Sequence, residues 1–567
     1  MVPFIKTIAF LIAAILFAAV ALLVPTHIRA VDQSVVELAG IRNSSPEAKI
    51  SEAINATHIG PAERMIEATQ LANDPRAQFK SQIAVLQEKN PNLRISGGAD
   101  RAFEDFLKLI QRTEATNPAV VPLLLPRSER ASLSGTLASS SNANVSALLE
   151  IRNLTGLIRL HPADHAAGAP YDAGVLTLAM LVEGGHFRPE LSQQIGGIAI
   201  QASLGTPSAV RASEDLVIAT LSLGRQLDYS SLASLAKITR TPGNWTKMAT
   251  LFRAQPDRID ALYTALVFSE NPDQLFNYLA EHSETGNTDL DFALSKGPGA
   301  VSYLLESEQP IYRPASIAAE VFKLLAPYRP ETFISIALNR VSLGLALKFG
   351  LFFLAGLAFS FAMGAAWRGS ITGAKPVSKT NPVIMARDAL LSLVVVLTVW
   401  TFFEPDILKS QDLKTDSAPR IEFAVADTLN SLKSPVKAMQ EINQVTLLVL
   451  ALFFIIQLVI YSFCLIKMRE ITKQQLSPQL KIKLLENEEN LFDFGLYVGL
   501  GGTVLSLILV AVGIVEASLM AAYASTLFGI LFTALLKVMH VRPYRRELIM
   551  KANPSRQSTT LMENIEL

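Results

Sequence analysis

The sequence predicts an all-α membrane protein: six transmembrane helices, with a large helical, solenoid-like periplasmic domain between the first and the second. Three observations carry this reading. The 567 residues are 50% hydrophobic, with a mean hydropathy of +0.32, too apolar for an ordinary soluble protein. Five uncharged windows, 7–24, 349–367, 442–466, 494–515 and 517–536, approach or exceed the roughly 20 residues that span a bilayer as a helix. The polar remainder carries repeated helix-start signals and no alternating strand runs. The 50 Lys+Arg balance 50 Asp+Glu, so no basic nucleic-acid-binding surface is expected.

In chain order, residues 1–30 read as an N-terminal membrane anchor. Its apolar run of 18 residues is long for a signal peptide, and in Ile28-Arg29-Ala30 the isoleucine is larger than cleavage sites prefer, so the helix is expected to be retained. Residues 31–341 form the outer block, large enough for its own core. Residues 342–441 hold the second and third membrane helices. The third window, 389–403, has 15 residues between Asp388 and Glu404 and spans by borrowing flanking residues. Residues 442–545 hold the last three helices, and 546–567 form a tail. Lys and Arg near helix ends stay in the cytoplasm. The loop 367–388 carries Arg368, Lys375, Lys379 and Arg387, and the C-terminal tail is similarly basic, whereas 404–444 has five basic residues against seven acidic ones. Both termini are therefore expected inside, and the outer block in the periplasm of a bacterial inner-membrane protein. The single cysteine, Cys464, permits no internal disulfide.

The outer block reads as stacked antiparallel helices. Asp74-Pro75 is a cap and first-turn pair, followed by Phe79, Ile83 and Leu86 at helical spacing. Asn271-Pro272 repeats the device, and Thr206-Pro207, Gln255-Pro256 and Arg329-Pro330 are similar. The serine-rich segment 131–146 is the expected loop or subdomain boundary. Chemistry is sparse. His161, Asp164 and His165, with His186 beyond, suggest a metal cluster less than surface or capping roles, because Pro162 interrupts the shared face. Ser234-Leu235-Ala236-Lys237 matches S-x-x-K but lacks companion motifs. No enzyme, cofactor or metal site is expected.

The last two membrane helices are the informative ones. At about 100° per residue, Gly495, Gly499, Gly502, Thr503, Ser506 and Gly513 share one sector of the fifth helix. Ser518, Ala522, Ser525, Thr526, Gly529 and Thr533 do so on the sixth. Small residues let helix backbones approach, which assigns Gly495, Gly499, Gly502 and Gly529 to packing. The hydroxyls of Thr503, Ser506, Ser525 and Thr526 add polarity at membrane depth, which assigns them to a lined path. Packing alone accounts for the same pattern, since serine and threonine can bond the preceding turn.

Gly499-Leu500-Gly501-Gly502-Thr503-Val504 resembles the G-L-x-G-T-V element of the MotA/TolQ/ExbB proton-channel family. Ala524-Ser525-Thr526-Leu527-Phe528-Gly529-Ile530 is similar to its A-T-x-x-G-[IL] segment. The likeness covers roughly residues 442–545. It implies a pentamer around two copies of an ExbD/TolR/MotB-like partner with one membrane helix, ion flow driving work in the envelope, and pore-facing Thr503 and Thr526 near the partner's aspartate. The sequence departs from the family in the short segment Lys467–Asn490, in Leu496 where a proline is common, and in Ala521 where some members carry glutamate. The five long windows contain no Asp, Glu, Lys, Arg or His, so a carboxylate for proton transfer must come from another chain. The alternative expectation is a non-transporting scaffold whose outer block recruits envelope proteins.

Overall fold

The computed structural model describes residues 2–42, 44–100, 103–104, 127–154, 168–314, 316–370, 382–404, 444–511 and 519–552. These are almost entirely helical; no strand occurs among the described residues. The chain divides into two compact units, one of Ala30–Tyr312 and one of Met1–Arg29 with Arg313–Leu567. Among the described residues, four helical stretches are long and apolar enough to cross a membrane: Phe4–Leu23, Val341–Ala366, Leu450–Lys473 and Tyr523–Ala552. The six helices containing the apolar windows are labelled in chain order: α1 (Val2–Leu23), α2 (Val341–Ser370), α3 (Pro382–Phe403), α4 (Gln444–Lys473), α5 (Phe494–Ala511) and α6 (Leu519–Leu536).

In the unit Ala30–Tyr312, proline repeatedly opens helices because its fixed φ suits the first turn and its missing N–H is one that turn leaves unpaired. Helices begin at Pro46, Pro189, Pro207, Pro242, Pro272 and Pro298. Ser45 and Thr241 cap two of them by accepting the amides of Ala48 and Asn244, each at 3.2 Å. The expected X-Pro caps differ: the helix Asn73–Lys89 starts before Asp74, leaving Asp74 in the first turn, and the side chains of Thr206, Gln255 and Asn271 make no capping bond. The segment 131–146 is not one loop. Leu133 and Leu137, four apart, bury one face of the helix Arg127–Ala138, and after a break at 139–142 Asn142 caps the helix Ala143–Glu150. Both pack on Ala169–Glu183, which is buried from Tyr171 to Val182. Its Asp172 survives burial because Arg130 Nε and Arg152 Nε each lie 2.7 Å from its carboxylate. The ends of the unit meet where Val31 N donates to Pro310 O and Tyr312 N to Val31 O.

A second buried carboxylate organises the other side. Asp228 caps the helix Tyr229–Ile238, accepting Ser231 N and Ser231 Oγ at 2.8 Å. Burial pushes its carboxyl upward, and Arg64 and Ser231 oppose that shift. A Cβ at Gly60 or Gly97 would fall 2.2 and 2.1 Å from its oxygens, and Gly97 has φ +72°, so only glycine fits at Gly97.

The other unit begins where the outer block was expected to continue. The helix Ser316–Leu325 sets Val321, Phe322 and Leu325 against a core of Ala21, Leu22, Phe352, Val396 and Trp400. Residues 313–341 therefore group with α1, α2 and α3, because their apolar side chains fill that core. Helix α3 starts seven residues before the 389–403 window. Charges bounding the windows pair with each other. Lys348 and Glu404, only 2% and 4% exposed, meet at 2.8 Å, and Lys348 Nζ also donates to Thr26 O at 2.6 Å. His27 Nδ1 lies 3.0 Å from Glu404 Oε1, and Ile28 N–H donates to Glu404 Oε2. Lys348 Nζ sits 5.7 Å from the Trp400 ring centroid. Further along the α2/α3 seam, Ser360 Oγ donates to the buried Asp388, beside Arg387. Leaving one buried charge unpaired costs about 3–5 kcal/mol, whereas exchanging both for apolar groups costs far less. Lys348→Met alone should therefore lower the melting temperature of the detergent-solubilised protein more than Lys348→Met/Glu404→Leu. Equal melting temperatures for the single and double variants would contradict this account.

Candidate functional site

Helices α5 and α6 pack through glycine. A Cβ on Gly499 would lie 2.8 Å from Ser525 O and 3.1 Å from Gly529 Cα; one on Gly529 would lie 2.8 Å from Gly495 O. The backbones touch there because no side chain intervenes. At Gly502 the neighbour is Ser525 Oγ. All four glycines assigned to packing thus stand at close approaches. Gly495 additionally faces α4, where Gln457 Nε2 donates to Gly495 O at 2.9 Å and Gln457 Oε1 is buried without a partner.

This closeness brings the hydroxyls together over one carbonyl. Thr503 Oγ1 and Thr526 Oγ1 are 2.6 Å apart, and Gly499 O lies 3.2 Å from Thr503 Oγ1, 3.0 Å from Ser525 Oγ and 3.4 Å from Thr526 Oγ1. Thr503 and Ser525 are buried, while Thr526 is half-buried. Ser506, one turn further along α5, is half-buried and belongs to none of these bonds. Around the site Leu500, Val504, Tyr497, Leu527 and Ile530 are exposed apolar side chains. The arrangement is a compact cluster of neutral donors and acceptors. Within one chain the hydroxyls point at each other, and the half-buried Thr526 is the member with an open side.

The end of the hairpin at Asp493 and Lys537 is held by charge and packing. Lys537 Nζ lies 2.7 Å from Asp493 Oδ1, and Arg545 bonds Glu486 at 2.7 Å. Cys464, Ile471, Leu485, Phe492, Leu536 and Leu548 form a buried cluster there. Gly513, Ser518 and the Glu516-Ala517 link lie outside the described residues, as do His161, Asp164 and His165. His186 is held by Asp100, with 2.7 Å between Nε2 and Oδ2, and no group of metal-ligating residues occurs among the described residues. Ser234 Oγ donates to Ser230 O, and Lys237 is exposed. Gln457 is the residue sequence reasoning missed; its signal was an amide in the middle of a 25-residue apolar window, thirteen residues from the nearest other amide, Gln444.

No family model, curated protein or solved structure matches the chain.

The close approach yields a test. A Cβ at Gly499 meets backbone, so Gly499→Ala should push α5 and α6 apart and cost about 1–3 kcal/mol. Gly501, which faces open space, serves as the control. A lower melting temperature is expected for Gly499→Ala and none for Gly501→Ala; equal values would show that the helices do not meet there.

Proposed function

We propose that this chain is the channel-forming, stator-like subunit of a membrane complex that uses a proton or sodium motive force to drive work in the cell envelope. In this reading α1 to α6 span a bacterial inner membrane, both termini are cytoplasmic, and the unit Ala30–Tyr312 is periplasmic. Copies assemble as a pentamer through α4, α5 and α6 around an ExbD/TolR/MotB-like partner whose single helix supplies the ion-carrying aspartate. The observation that carries the proposal is the Thr503–Thr526 hydroxyl pair over Gly499 O. It places a polar point in an apolar hairpin at the two positions where the MotA/TolQ/ExbB resemblance puts the pore threonines. A hydroxyl here can exchange its bond to Gly499 O for one to a carboxylate or its water. The chain's long apolar windows bring no carboxylate of their own, which fits one contributed in trans.

One observation favours a second reading, a non-transporting scaffold. The hydroxyls hydrogen-bond one another and Gly499 O, so the hairpin is satisfied without any further polar partner. The two readings separate on Thr503→Val and Thr526→Val, which keep side-chain shape and remove the hydroxyl. Each change should cost stability only near the ~0.6 kcal/mol average of a membrane hydrogen bond. For a channel, ion flux into vesicles containing the chain and its partner should collapse while native mass shows the oligomer intact. Flux unchanged in both variants favours the scaffold. Native mass of the wild-type protein should give five copies, and a monomer at membrane-like concentration would overturn the assembly.

A further inference from the structure

The unit Ala30–Tyr312 contains a cleft of about 170 Å³ between the helix Ile59–Ala68, the short helix Asn92–Ser96 and the turn Arg225–Asp228. Two features of its lining are unfinished. Arg64 Nε and Gln226 Oε1 are both buried without a hydrogen-bond partner. The rest of Arg64 is held in place: Nη1 donates to Asp260 at 2.7 Å, Nη2 donates to Gln226 O at 2.7 Å, and Nε stands 3.9 Å from Asp228 Oδ2. Arg64 and Gln226 both line the cleft, so a fixed donor and an acceptor without partners belong to its wall, the complement of an amide C=O and N–H. A buried polar atom without a partner carries a desolvation penalty that a ligand able to pair with it removes.

Charge at the opening adds the second feature. Arg94 and Arg225 line the cleft, are exposed, and form no ion pair among the described residues. Arg64 is answered by Asp228 and Asp260. Asp228 is turned to Ser231, and Glu63 accepts from Gln87 Nε2 at 3.2 Å. The lining therefore has two unanswered guanidinium groups, and guanidinium is the side chain best shaped to bind a carboxylate through parallel hydrogen bonds. The volume lies below the roughly 300–1,000 Å³ of pockets that enclose a drug-sized ligand, so the fit is to a chain end.

We propose that this cleft binds the carboxy-terminal end of a peptide, with the terminal carboxylate on Arg94 and Arg225 and the last amide between Arg64 Nε and Gln226 Oε1. The ligand class follows from the pairing of an anion-binding opening with an amide-complementary interior. A simple anion leaves both orphaned atoms unpaired. The site is independent of the hairpin, so it stands or falls apart from ion transport.

The test uses the full chain in detergent and three probes: N-acetyl-alanyl-alanine, its carboxy-terminal amide, and inorganic phosphate, titrated by calorimetry. The free acid should bind, and the amide should bind at least about tenfold more weakly because it loses charge-assisted hydrogen bonds. Methylating the last amide nitrogen of the acid probe should weaken binding by a similar factor, since it leaves Gln226 Oε1 unpaired. Arg94→Gln and Arg225→Gln, both at exposed positions without ion pairs, should each weaken the acid while leaving the melting temperature unchanged. The proposal is overturned if acid and amide bind equally, if phosphate displaces the acid at equal concentration, if both arginine variants bind like the parent, or if the acid does not bind at roughly 10 mM, the limit of any useful affinity.

Discussion

Contact between two helix backbones at Gly499 and Gly529 is the constraint from which the hairpin's other features follow. Without water, packing and hydrogen bonds must hold membrane helices together, and neither works at a distance. Removing the side chains at Gly495, Gly499, Gly502 and Gly529 lets α5 and α6 close until Ser525 and Thr526 reach the Gly499 carbonyl across the interface. The carbonyl is already engaged in its own helix, yet an oxygen has capacity for more than one donor. A polar cluster so made is neutral, compact and tolerable among apolar side chains. It is also the kind of group that can change partners when a carboxylate approaches, which is why packing and transport readings converge on the same residues.

Charge obeys the same rule of internal satisfaction in both units, by different means. Asp172 and Asp228 are buried with arginines close by and with backbone or hydroxyl donors completing the set for Asp228. Glu404 is met by Lys348, His27 and the Ile28 amide, so the end of α1 and the helices α2 and α3 share one carboxylate. A buried ion pair is not a reliable source of stability, because desolvation cancels much of its Coulombic gain. Its structural effect is to penalise every arrangement in which one member is left alone. Several buried polar atoms stay unpaired even so, and at Arg64 and Gln226 two of them belong to residues that line one cleft.

Much of the architecture was legible along the chain. Uncharged runs of bilayer length marked apolar helices, four stretches of which, among the described residues, are long enough to cross a membrane, and X-Pro steps located helix starts within a residue or so, as at Pro207 and Pro272. The one-sided glycine and hydroxyl pattern located the α5/α6 contact, because helical periodicity is a property of neighbours in sequence. Local signals misled where a tertiary contact decided the outcome. Serines at 132 and 134 read as loop, but Leu133 and Leu137 had a buried surface to meet and the segment became helix. Residues 313–341 read as continuous with the outer block, but Val321 and Phe322 had a nearer core in the other unit.

By itself, then, the sequence determined that the chain is helical, that apolar helices of membrane length flank a polar helical block, and that two of those helices each present a small, hydroxyl-bearing face. Composition and periodicity suffice for these, since each depends on residues within a few turns of one another. Only the tertiary structure decided that the two faces meet with their hydroxyls paired, that Gln457 joins them by bonding Gly495, and that Lys348 answers Glu404. It likewise placed Arg64, Arg94 and Gln226 around one cleft. Groups tens to hundreds of residues apart become partners through packing, and no local pattern records which distant group will arrive.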